Sequence, residues 1–390
     1  MIRASLWGPG AAIALIVGCT SLDHLNDGSD PPEAGVEASA ADAPGEEAST
    51  VPCGGVTCAT GATCLAGVCR CGGPDGDTCT TETPASCDGG PCEGQVVGEC
   101  VAYACRRRRT LAVLENVQQI VVDEGVVYIA DDGAVLGGAY RVQVGGGPVT
   151  KLAAGLPRAI AVAAGDVYWP DPTNQRIVTC PSTGCPPAGP DLYFQDSVQP
   201  ITIAATTFGV LWMSFDGTIK RCGVPCTTPT SVSVGGAGRI AVTDTGVVFA
   251  SNNPGEIYEW GFGSSGPTVH VTGQYQPFAI AANPYRAYWA NLDAVRTAPA
   301  DAGSSDATVE ASLVAYATLG DSSYHYGAVA IDTGSVYWTD GTKGIFRCSL
   351  AGCGSAPDVV TTFPAAWGLA VDGTSLFFAR GGAVYQIDKK

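Results

Sequence analysis

The sequence is poor in the residues on which many enzymes and nucleic-acid-binding proteins depend. Its 390 residues include only three histidines and two methionines, and 20 Lys and Arg residues stand against 37 Asp and Glu residues. The net charge of −17 argues against nucleic-acid binding, which needs a basic surface to neutralise phosphates. The sequence motifs of zinc proteases, serine hydrolases, P-loop proteins and dinucleotide-binding proteins are absent. We therefore expect no nucleic-acid partner, no metal and no cofactor.

No hydrophobic run is long enough to cross a membrane as a helix. Ala11 to Val17 form a short apolar segment after Arg3, which is typical of a signal peptide covering residues 1–18. The segment ends in "LIVGC", residues 15–19, which resembles the lipobox of bacterial lipoproteins. The resemblance implies cleavage after Gly18 and a lipid on Cys19 as the only anchor, in the cell envelope and in the outer membrane of a Gram-negative bacterium. An ordinary signal peptide with an incidental cysteine is the alternative.

Glycine and cysteine are abundant. The chain has 52 glycines, is 46% apolar and is only 15% charged, a composition that with β-branched and aromatic runs predicts an all-β fold. Of its 17 cysteines, Cys19 is the first, ten lie between Cys53 and Cys105, and six lie from Cys180 onward. The two later groups are even in number, as disulfide pairing in an oxidising compartment requires.

Three short regions precede the repeats. Residues 19–52 are acidic and contain no aromatic residue, which predicts a disordered tether. Residues 53–105 leave little room for a hydrophobic core and predict a small disulfide-rich module, whose cysteine spacing resembles EGF-like modules; a zinc site is the alternative. Residues 106–109, "RRRR", are interpreted as a solvated basic hinge, with a site for phosphate or an acidic polymer as the alternative.

Residues 110–390 contain one pattern seven times. In each copy an apolar residue is followed by a turn and then by a β-branched or aromatic pair, whose first member lies eight positions after the apolar residue. The apolar residues are Ile120, Ile160, Ile203, Ile240, Ile280, Val329 and Leu369, and the first members of the pairs are Tyr128, Tyr168, Leu211, Val248, Tyr288, Tyr337 and Phe377. Two further short runs complete a four-stranded unit of about 40 residues, which is typical of a β-propeller blade.

The ends of the repeat region predict how the ring closes. The last unit stops after three strands, at "AVYQIDKK", and residues 110–116 form an additional strand before the first unit. We therefore predict that residues 110–116 complete a seventh blade, so that no sheet edge is left open. The aromatic pairs are expected to pack between blades.

One copy carries a known motif. "YWTD", Tyr337 to Asp340, resembles the repeat of the LDL-receptor class B propellers, and "YWPD" at Tyr168 and "YWAN" at Tyr288 are near matches. The resemblance covers residues 110–390. Propellers of that family have six blades, so a six-bladed ring is the alternative to the seven-bladed ring that the repeats predict.

The resemblance also implies a role for the acidic residue of the motif, which helps to tie neighbouring blades together in that family. That role falls here to Asp131, Asp171 and Asp340, while the matching positions of other units hold Ser214, Ser251 and Arg380.

Six cysteines of the repeat region form three short-range pairs. Cys180, Cys222 and Cys348 occupy the same position at the end of the third strand. We predict the disulfides Cys180–Cys185, Cys222–Cys226 and Cys348–Cys353, each across the turn between the third and fourth strands.

The histidines offer little for catalysis. His24 lies in the tether, and His270 lies on an outer strand, where we expect it to be exposed. Only His325 lies near the predicted channel. A hydrolase or lyase needs a base with an oriented acid or metal beside it, so an enzyme is the less favoured interpretation.

The loops that enter the innermost strands surround the channel mouth of a propeller and supply the candidate binding rim. The rim comprises Gln119, Arg158, Arg239, Phe278, His325, Tyr326 and Trp367. Aromatic and Arg side chains are enriched where interfaces concentrate their binding energy. We therefore predict a monomeric, surface-tethered module that binds an extracellular protein or glycan. A propeller enzyme of the lactone hydrolase or lyase type and a structural component of an envelope assembly are the alternatives.

Overall fold

The computed structural model describes the backbone from residue 51 to residue 389 and the side chains from residue 108 onward. The described backbone omits residues 54–55, 59–61, 66–67, 72–95, 102–103, 237, 244–245, 252–254, 262–263, 292–293, 300–307, 313–326, 341–342, 354–356 and 364–365. The described side chains further omit residues 247 and 308–312.

The part before the repeats contains short strands. Two hairpins are formed by β1 (Val51–Cys53) with β2 (Val56–Cys58), and by β3 (Ala62–Leu65) with β4 (Val68–Cys71). They are followed by β5 (Val96–Val101) and β6 (Ala104–Val113), which pair with each other. The disulfides expected between Cys53 and Cys105 involve side chains that the structure does not describe. Cys19 lies outside the described backbone.

Six blades of four consecutive antiparallel strands follow. Blade 1 consists of β7 (Val117–Asp123), β8 (Val126–Asp131), β9 (Gly138–Gln143) and β10 (Thr150–Ala154). Blade 2 consists of β11 (Ala161–Ala163), β12 (Asp166–Asp171), β13 (Arg176–Pro181) and β14 (Asp191–Gln195). Blade 3 consists of β15 (Pro200–Thr206), β16 (Gly209–Ser214), β17 (Thr218–Cys222) and β18 (Thr230–Ser233).

Blade 4 consists of β19 (Gly238–Val242), β20 (Gly246–Ser251), β21 (Glu256–Gly261) and β22 (Thr268–Val271). Blade 5 consists of β23 (Ala279–Ala282), β24 (Arg286–Ala290), β25 (Ala294–Pro299) and β26 (Thr308–Ser312). Blade 6 consists of β27 (Val329–Ile331), β28 (Ser335–Asp340), β29 (Gly344–Ser349) and β30 (Asp358–Thr361). Blade 7 consists of β31 (Trp367–Val371), β32 (Ser375–Arg380), β33 (Ala383–Asp388), β6 and β5.

The chain is thus a seven-bladed propeller, as the repeats predict, and the six-bladed alternative is wrong. The repeat spacing corresponds to a strand register shared by all blades. The residue after each leading apolar position pairs with the first member of the aromatic pair, from Val121 with Tyr128 in blade 1 to Ala370 with Phe377 in blade 7. A constant offset of eight therefore encodes the same hairpin seven times.

The hydrophobic core lies between the blades. Each of seven buried apolar clusters joins one blade to the next around the ring. Successive side chains of a strand point to opposite faces of the sheet, so the two members of an aromatic pair reach different interfaces. Tyr168, for example, packs between blades 2 and 3, while Trp169 packs between blades 1 and 2. The packing role predicted for the aromatic pairs is confirmed.

The seventh blade closes the ring with a strand from before the first repeat. β6 pairs with β33 from Arg108 opposite Ile387 to Val113 opposite Ala383, which confirms the predicted closure. The strand begins six residues earlier than residues 110–116 suggested, at Ala104, and ends at Val113.

The basic run 106–109 lies inside β6, so it is not a hinge. Two of its side chains have structural contacts that the sequence did not suggest. The Arg108 guanidinium lies 4.2 Å from the centre of the Phe363 ring, and Arg109 donates to the carbonyl oxygen of Gly145 in blade 1. An arginine side chain can stack on an aromatic ring and can also donate hydrogen bonds. These contacts explain why a basic run is tolerated in the closing strand.

β-Bulges recur in the outer strands and correct one prediction. In every blade but the third, the fourth strand has one extra residue opposite its neighbour. The described side chains at these positions are buried or partly buried: Leu111, Leu152, Tyr193, His270 and Val360. His270 is only 5% exposed, so the expectation of an exposed histidine is wrong. A bulge breaks the alternation of inward and outward side chains and turns this residue into the core.

The three predicted disulfides of the repeat region are present. They join Cys180 to Cys185, Cys222 to Cys226 and Cys348 to Cys353, with Cα atoms 4.9, 5.3 and 4.7 Å apart. Each closes the turn after the third strand of its blade. Within the described part of the chain, no helix is long and apolar enough to cross a membrane.

Candidate functional site

The antiparallel strands divide the loops between two faces of the ring. Loops that lead into a first strand, and loops between second and third strands, lie at one end of the blades, here called the entrance face. Loops between first and second strands, and between third and fourth strands, lie at the opposite face. The three disulfides are therefore all at the opposite face.

An axial cavity of about 100 Å³ lies at the entrance end of the channel. Its walls come from the first residues of the inner strands of six blades. The lining residues are Gln118, Gln119, Ile120, Thr202, Arg239, Ile240, Ala279, Ile280, Gly327, Ala328, Val329, Gly368 and Leu369. Two of the predicted rim residues, Gln119 and Arg239, therefore line this cavity. Thr202 was not predicted, because in the sequence it is one more threonine of a strand.

A hydrogen-bonded group lies at the edge of the cavity between blades 1 and 2. Asp132 accepts a hydrogen bond from the side-chain amide of Gln118 at 2.9 Å and forms an ion pair with Arg158 at 3.3 Å. The Arg158 side chain is 51% exposed, so this predicted rim residue is available to a ligand at the entrance face. Gln119 accepts a hydrogen bond from the backbone N–H of Ile160 at 3.2 Å, which joins the first two blades.

Two predicted rim residues serve the packing of the ring instead. The Trp367 indole N–H donates to the carbonyl oxygen of Val117 at 2.6 Å and so joins blade 7 to blade 1. The Phe278 ring lies against Gly327, where a Cβ atom would come within 1.8 Å of the ring. Neither side chain is among the cavity walls. His325 and Tyr326 lie outside the described residues.

Arg239 is the charged residue of the cavity wall. It lies on the innermost strand of blade 4, directly before the leading apolar residue Ile240. Burial lowers the pKa of the Arg239 guanidinium below its usual value. A guanidinium remains protonated at neutral pH even so, and the wall of the cavity therefore carries a positive charge.

The acidic residue of the repeat motif behaves differently in blades 1 and 2. It bonds to a neighbouring segment in blade 1, as Asp131, but only within its own hairpin in blade 2, as Asp171. Asp131 accepts hydrogen bonds from the backbone N–H groups of Glu115 at 3.0 Å and Asn116 at 2.9 Å, in the segment between β6 and β7. It thereby ties the closing strand of blade 7 to blade 1. Asp171 instead bonds to Asn174 and Arg176 within its own hairpin. The role implied by the resemblance therefore holds for Asp131.

In blade 3, where the motif position is Ser214, an acid from the preceding linker takes over. Asp196 lies between β14 and β15 and accepts hydrogen bonds from the Trp212 indole at 2.6 Å and from Ser214 at 3.3 Å. It also forms a buried ion pair with Lys220. Burial by itself raises the pKa of the Asp196 carboxyl. Hydrogen bonds from Lys220 and Trp212 lower this pKa by a larger amount, so it lies below its usual value.

The three most exposed large apolar side chains in the loops of the entrance face are Val135, Phe215 and Tyr275. Val135 is 83% exposed, Phe215 is 69% exposed and Tyr275 is 61% exposed. The opposite face exposes Phe208 and Tyr285 to a similar degree. None of the five was singled out from the sequence, although an aromatic residue inside a two-strand turn, as in "SFDG" around Phe215, is a signal that could have been used.

Metal ligands do not gather in the described part of the chain, where no group of three or more His, Cys, Asp or Glu side chains is arranged to hold an ion.

Neither a family model nor a curated protein matches the sequence. Among solved structures, virginiamycin B lyase from Staphylococcus aureus aligns with 73% of this chain and 99% of its own, at 14% identity and a TM-score of 0.55. A catalytically inactive variant of that lyase with quinupristin gives the same identity and TM-score, over 73% and 98% of the two chains. A chain of a nidogen/laminin complex aligns over 53% and 91% at 15% identity, but its TM-score of 0.41 is too low to carry an argument. The likeness to the lyase concerns the fold, and the fold of this chain is a seven-bladed β-propeller.

Proposed function

We propose that this protein is a binding module of the cell envelope, in which a lipid on Cys19 and the tether 19–52 hold a propeller that captures an extracellular protein or glycan at its entrance face. The observation that supports this most is the axial cavity with the exposed Arg158 near its edge, both at the entrance face. The loops of that face also expose Phe215 and Tyr275. Exposed aromatic and Arg side chains around a concave centre are what binding surfaces commonly present.

The aromatic residues of the two faces provide a matched test. Phe215→Ala with Tyr275→Ala removes two exposed rings from the entrance face, and Phe208→Ala with Tyr285→Ala removes two similarly exposed rings from the opposite face. Each immobilised chain is incubated with envelope and medium fractions, and the captured material is quantified. We expect the entrance-face variant to lose about tenfold or more in capture, because aromatic anchors carry much of an interface's energy. The opposite-face variant should capture as the unmodified chain does.

Two results would count against this proposal. Equal capture by both double variants would place the binding surface elsewhere, on the blade sides or in the cysteine-rich region. Stable co-purification of the same envelope proteins with all three chains would favour the structural component of an envelope assembly.

A propeller lyase is the second candidate, because the lyase from Staphylococcus aureus superposes over 99% of its length on this chain. The direct test is to incubate the purified chain with quinupristin and follow the antibiotic by mass spectrometry and chromatography. Conversion at a rate proportional to protein concentration would favour the lyase over the binding module, whereas unchanged quinupristin would remove this substrate.

A further inference from the structure

Arg239 differs from every other arginine whose side chain the structure describes. Each of those others has at least one interaction, for example with Asp132 for Arg158 and with the Gly261 carbonyl for Arg221. The Arg239 side chain forms no hydrogen bond, ion pair or ring contact with any described residue. A guanidinium that lines a cavity and has no described side-chain partner is left to bind an anionic group that enters the cavity.

The position of Arg239 is occupied by small or uncharged residues in the other blades. The residues that directly precede the leading apolar position are Gln119, Ala159, Thr202, Arg239, Ala279, Ala328 and Gly368. Packing of the ring therefore does not require a long basic side chain at this position. The arginine of blade 4 is better explained by what it can bind.

The cavity has a polar side and an apolar side. Blades 1, 3 and 4 contribute Gln118, Gln119, Thr202 and Arg239 to its wall. Because the side-chain oxygen of Gln119 accepts the Ile160 N–H, its NH₂ group is the end left to donate to a ligand. Blades 5, 6 and 7 contribute only apolar side chains and glycines: Ala279, Ile280, Gly327, Ala328, Val329, Gly368 and Leu369.

We infer that the axial cavity binds a monocarboxylate with a short apolar group, with the carboxylate on Arg239 and the apolar group against blades 5 to 7. This inference rests on the proposed function, since it names the ligand chemistry of the same entrance site. The planar guanidinium matches a carboxylate with two parallel N–H···O bonds. One unpaired positive charge balances a monoanion and not a phosphate dianion. The cavity of about 100 Å³ suits a group of a few heavy atoms.

Two sources share this chemistry, a free short-chain acid and the carboxyl terminus of a peptide that ends in an apolar residue. The probes separate them. Isothermal titration calorimetry of the purified full chain uses butyrate, its neutral analogue butyramide, inorganic phosphate, and N-acetyl-glycyl-valine with a free or amidated carboxyl terminus. Tighter binding of the free peptide than of butyrate identifies a peptide terminus, and comparable binding identifies a free acid.

The expected result is that butyrate binds and that butyramide and phosphate bind about tenfold more weakly or not at all, because each charge-assisted hydrogen bond contributes strongly. Arg239→Gln should weaken butyrate binding about tenfold or more. Arg239→Lys, which keeps the charge but not the planar pair of donors, should give a smaller loss. Arg176→Gln is the control, since Arg176 is an entrance-face arginine already paired with Asp171 at 2.9 Å, and it should bind butyrate as the unmodified chain does.

The inference is overturned if butyrate does not bind, if butyramide binds as tightly as butyrate, or if both Arg239 variants bind butyrate unchanged. Thermal melts without ligand show that each variant is folded, and Arg239→Gln should melt no lower than the unmodified chain because it removes an unpartnered charge. The test is independent of the capture experiment. If butyrate does not bind but capture still depends on Phe215 and Tyr275, the inference is wrong and the proposed binding module stands. If butyrate binds through Arg239 but capture does not depend on Phe215 and Tyr275, the inference stands and the proposed binding module is wrong.

Discussion

At the scale of single residues, two polar side chains buried in the blades have opposite surroundings. Asp196 is fully satisfied by Trp212, Ser214 and Lys220, and it links blade 2 to blade 3. His270 is buried to a similar degree, but neither of its ring nitrogens has a hydrogen-bond partner in the described structure. Asp196 should stabilise the fold through its partners. His270 should destabilise the fold, because burial removes the hydrogen bonds of its ring nitrogens to water and no group in the described part of the chain replaces them.

Replacing His270 should therefore stabilise the protein. The equivalent bulge positions of other blades hold Leu111, Leu152 and Val360, so an apolar side chain of similar size suits the site. We expect His270→Leu to raise the free energy of unfolding by about 1 kcal/mol, measured by urea denaturation. Val269→Leu, at a neighbouring position that is 46% exposed, is the control and should change little. A loss of stability in His270→Leu would show that the imidazole has a partner.

Removing the charge of Asp196 should destabilise the protein in a pH-dependent way. Asp196→Asn keeps an acceptor for Trp212 but leaves Lys220, which is 12% exposed, without its counter-ion. We expect a loss of about 3 kcal/mol at pH 7, and recovery of most of it when Lys220→Met is added. The pair of Asp171 and Arg176, whose side chains are 16% and 37% exposed, is the control, and Asp171→Asn should cost less than Asp196→Asn, about 1 kcal/mol.

The direction of the Asp196 pKa shift defines the pH window. Because the folded pKa lies below the unfolded value of about 4, the charge stabilises the fold fully above that value, and the benefit is lost as the pH falls through the folded pKa. The difference between the unmodified chain and Asp196→Asn should be full at pH 7 and shrink below about pH 4. A difference that stays constant down to pH 3 would contradict the assignment.

At the scale of elements, β6 decides whether the ring is complete. It covers the edge of β33, its residues Leu111 and Ala112 are buried between blades 7 and 1, and Arg109 reaches Gly145 of blade 1. An uncovered β33 would present unpaired backbone groups and an apolar interface to solvent.

Truncations test this directly. A chain that starts at residue 104 keeps β6 and should fold, whereas one that starts at residue 117 lacks it and should aggregate or melt about 10 °C lower or more. A chain that starts at residue 110 loses Arg108 and Arg109 but keeps Leu111, and its melting temperature should lie between the other two. Differential scanning calorimetry measures all three. Equal melting temperatures for the starts at 104 and 117 would show that β6 does not close the ring.

At the scale of the whole molecule, the acidic composition and the proposed tether suit a protein held away from a surface. The net charge of −17 keeps such a protein soluble, and the apolar core is distributed over seven interfaces between blades rather than one centre. The proposed attachment by a single lipid places no demand on this fold.

The anchor is tested by Cys19→Ser, which removes the proposed lipid site. We expect the variant to move from the membrane fraction to the soluble fraction, because no run in the sequence is long and apolar enough to cross a membrane as a helix. Cys222→Ser with Cys226→Ser changes two cysteines of a disulfide and should stay in the membrane fraction. Retention of Cys19→Ser in membranes after a high-salt wash would place the anchor elsewhere.

The sequence by itself determined the number of blades, the strand register and the disulfides of the repeat region. These features are local, since a hairpin is encoded by residues eight positions apart, as Ile120 and Tyr128 are, and Cys222 and Cys226 lie across one turn. Repetition of a local pattern seven times makes the signal strong enough to predict without tertiary contacts.

Only the tertiary structure decided which side chains have partners. The bulge that buries His270 depends on β22 meeting β21, the role of Arg109 depends on Gly145 36 residues away, and Trp367 depends on Val117 250 residues away. The cavity likewise combines residues of six blades, and Arg239 is recognised as unpartnered only when the others surround it. The physical reason is that hydrogen bonding and burial depend on neighbours brought together by ring closure, which no local sequence pattern specifies.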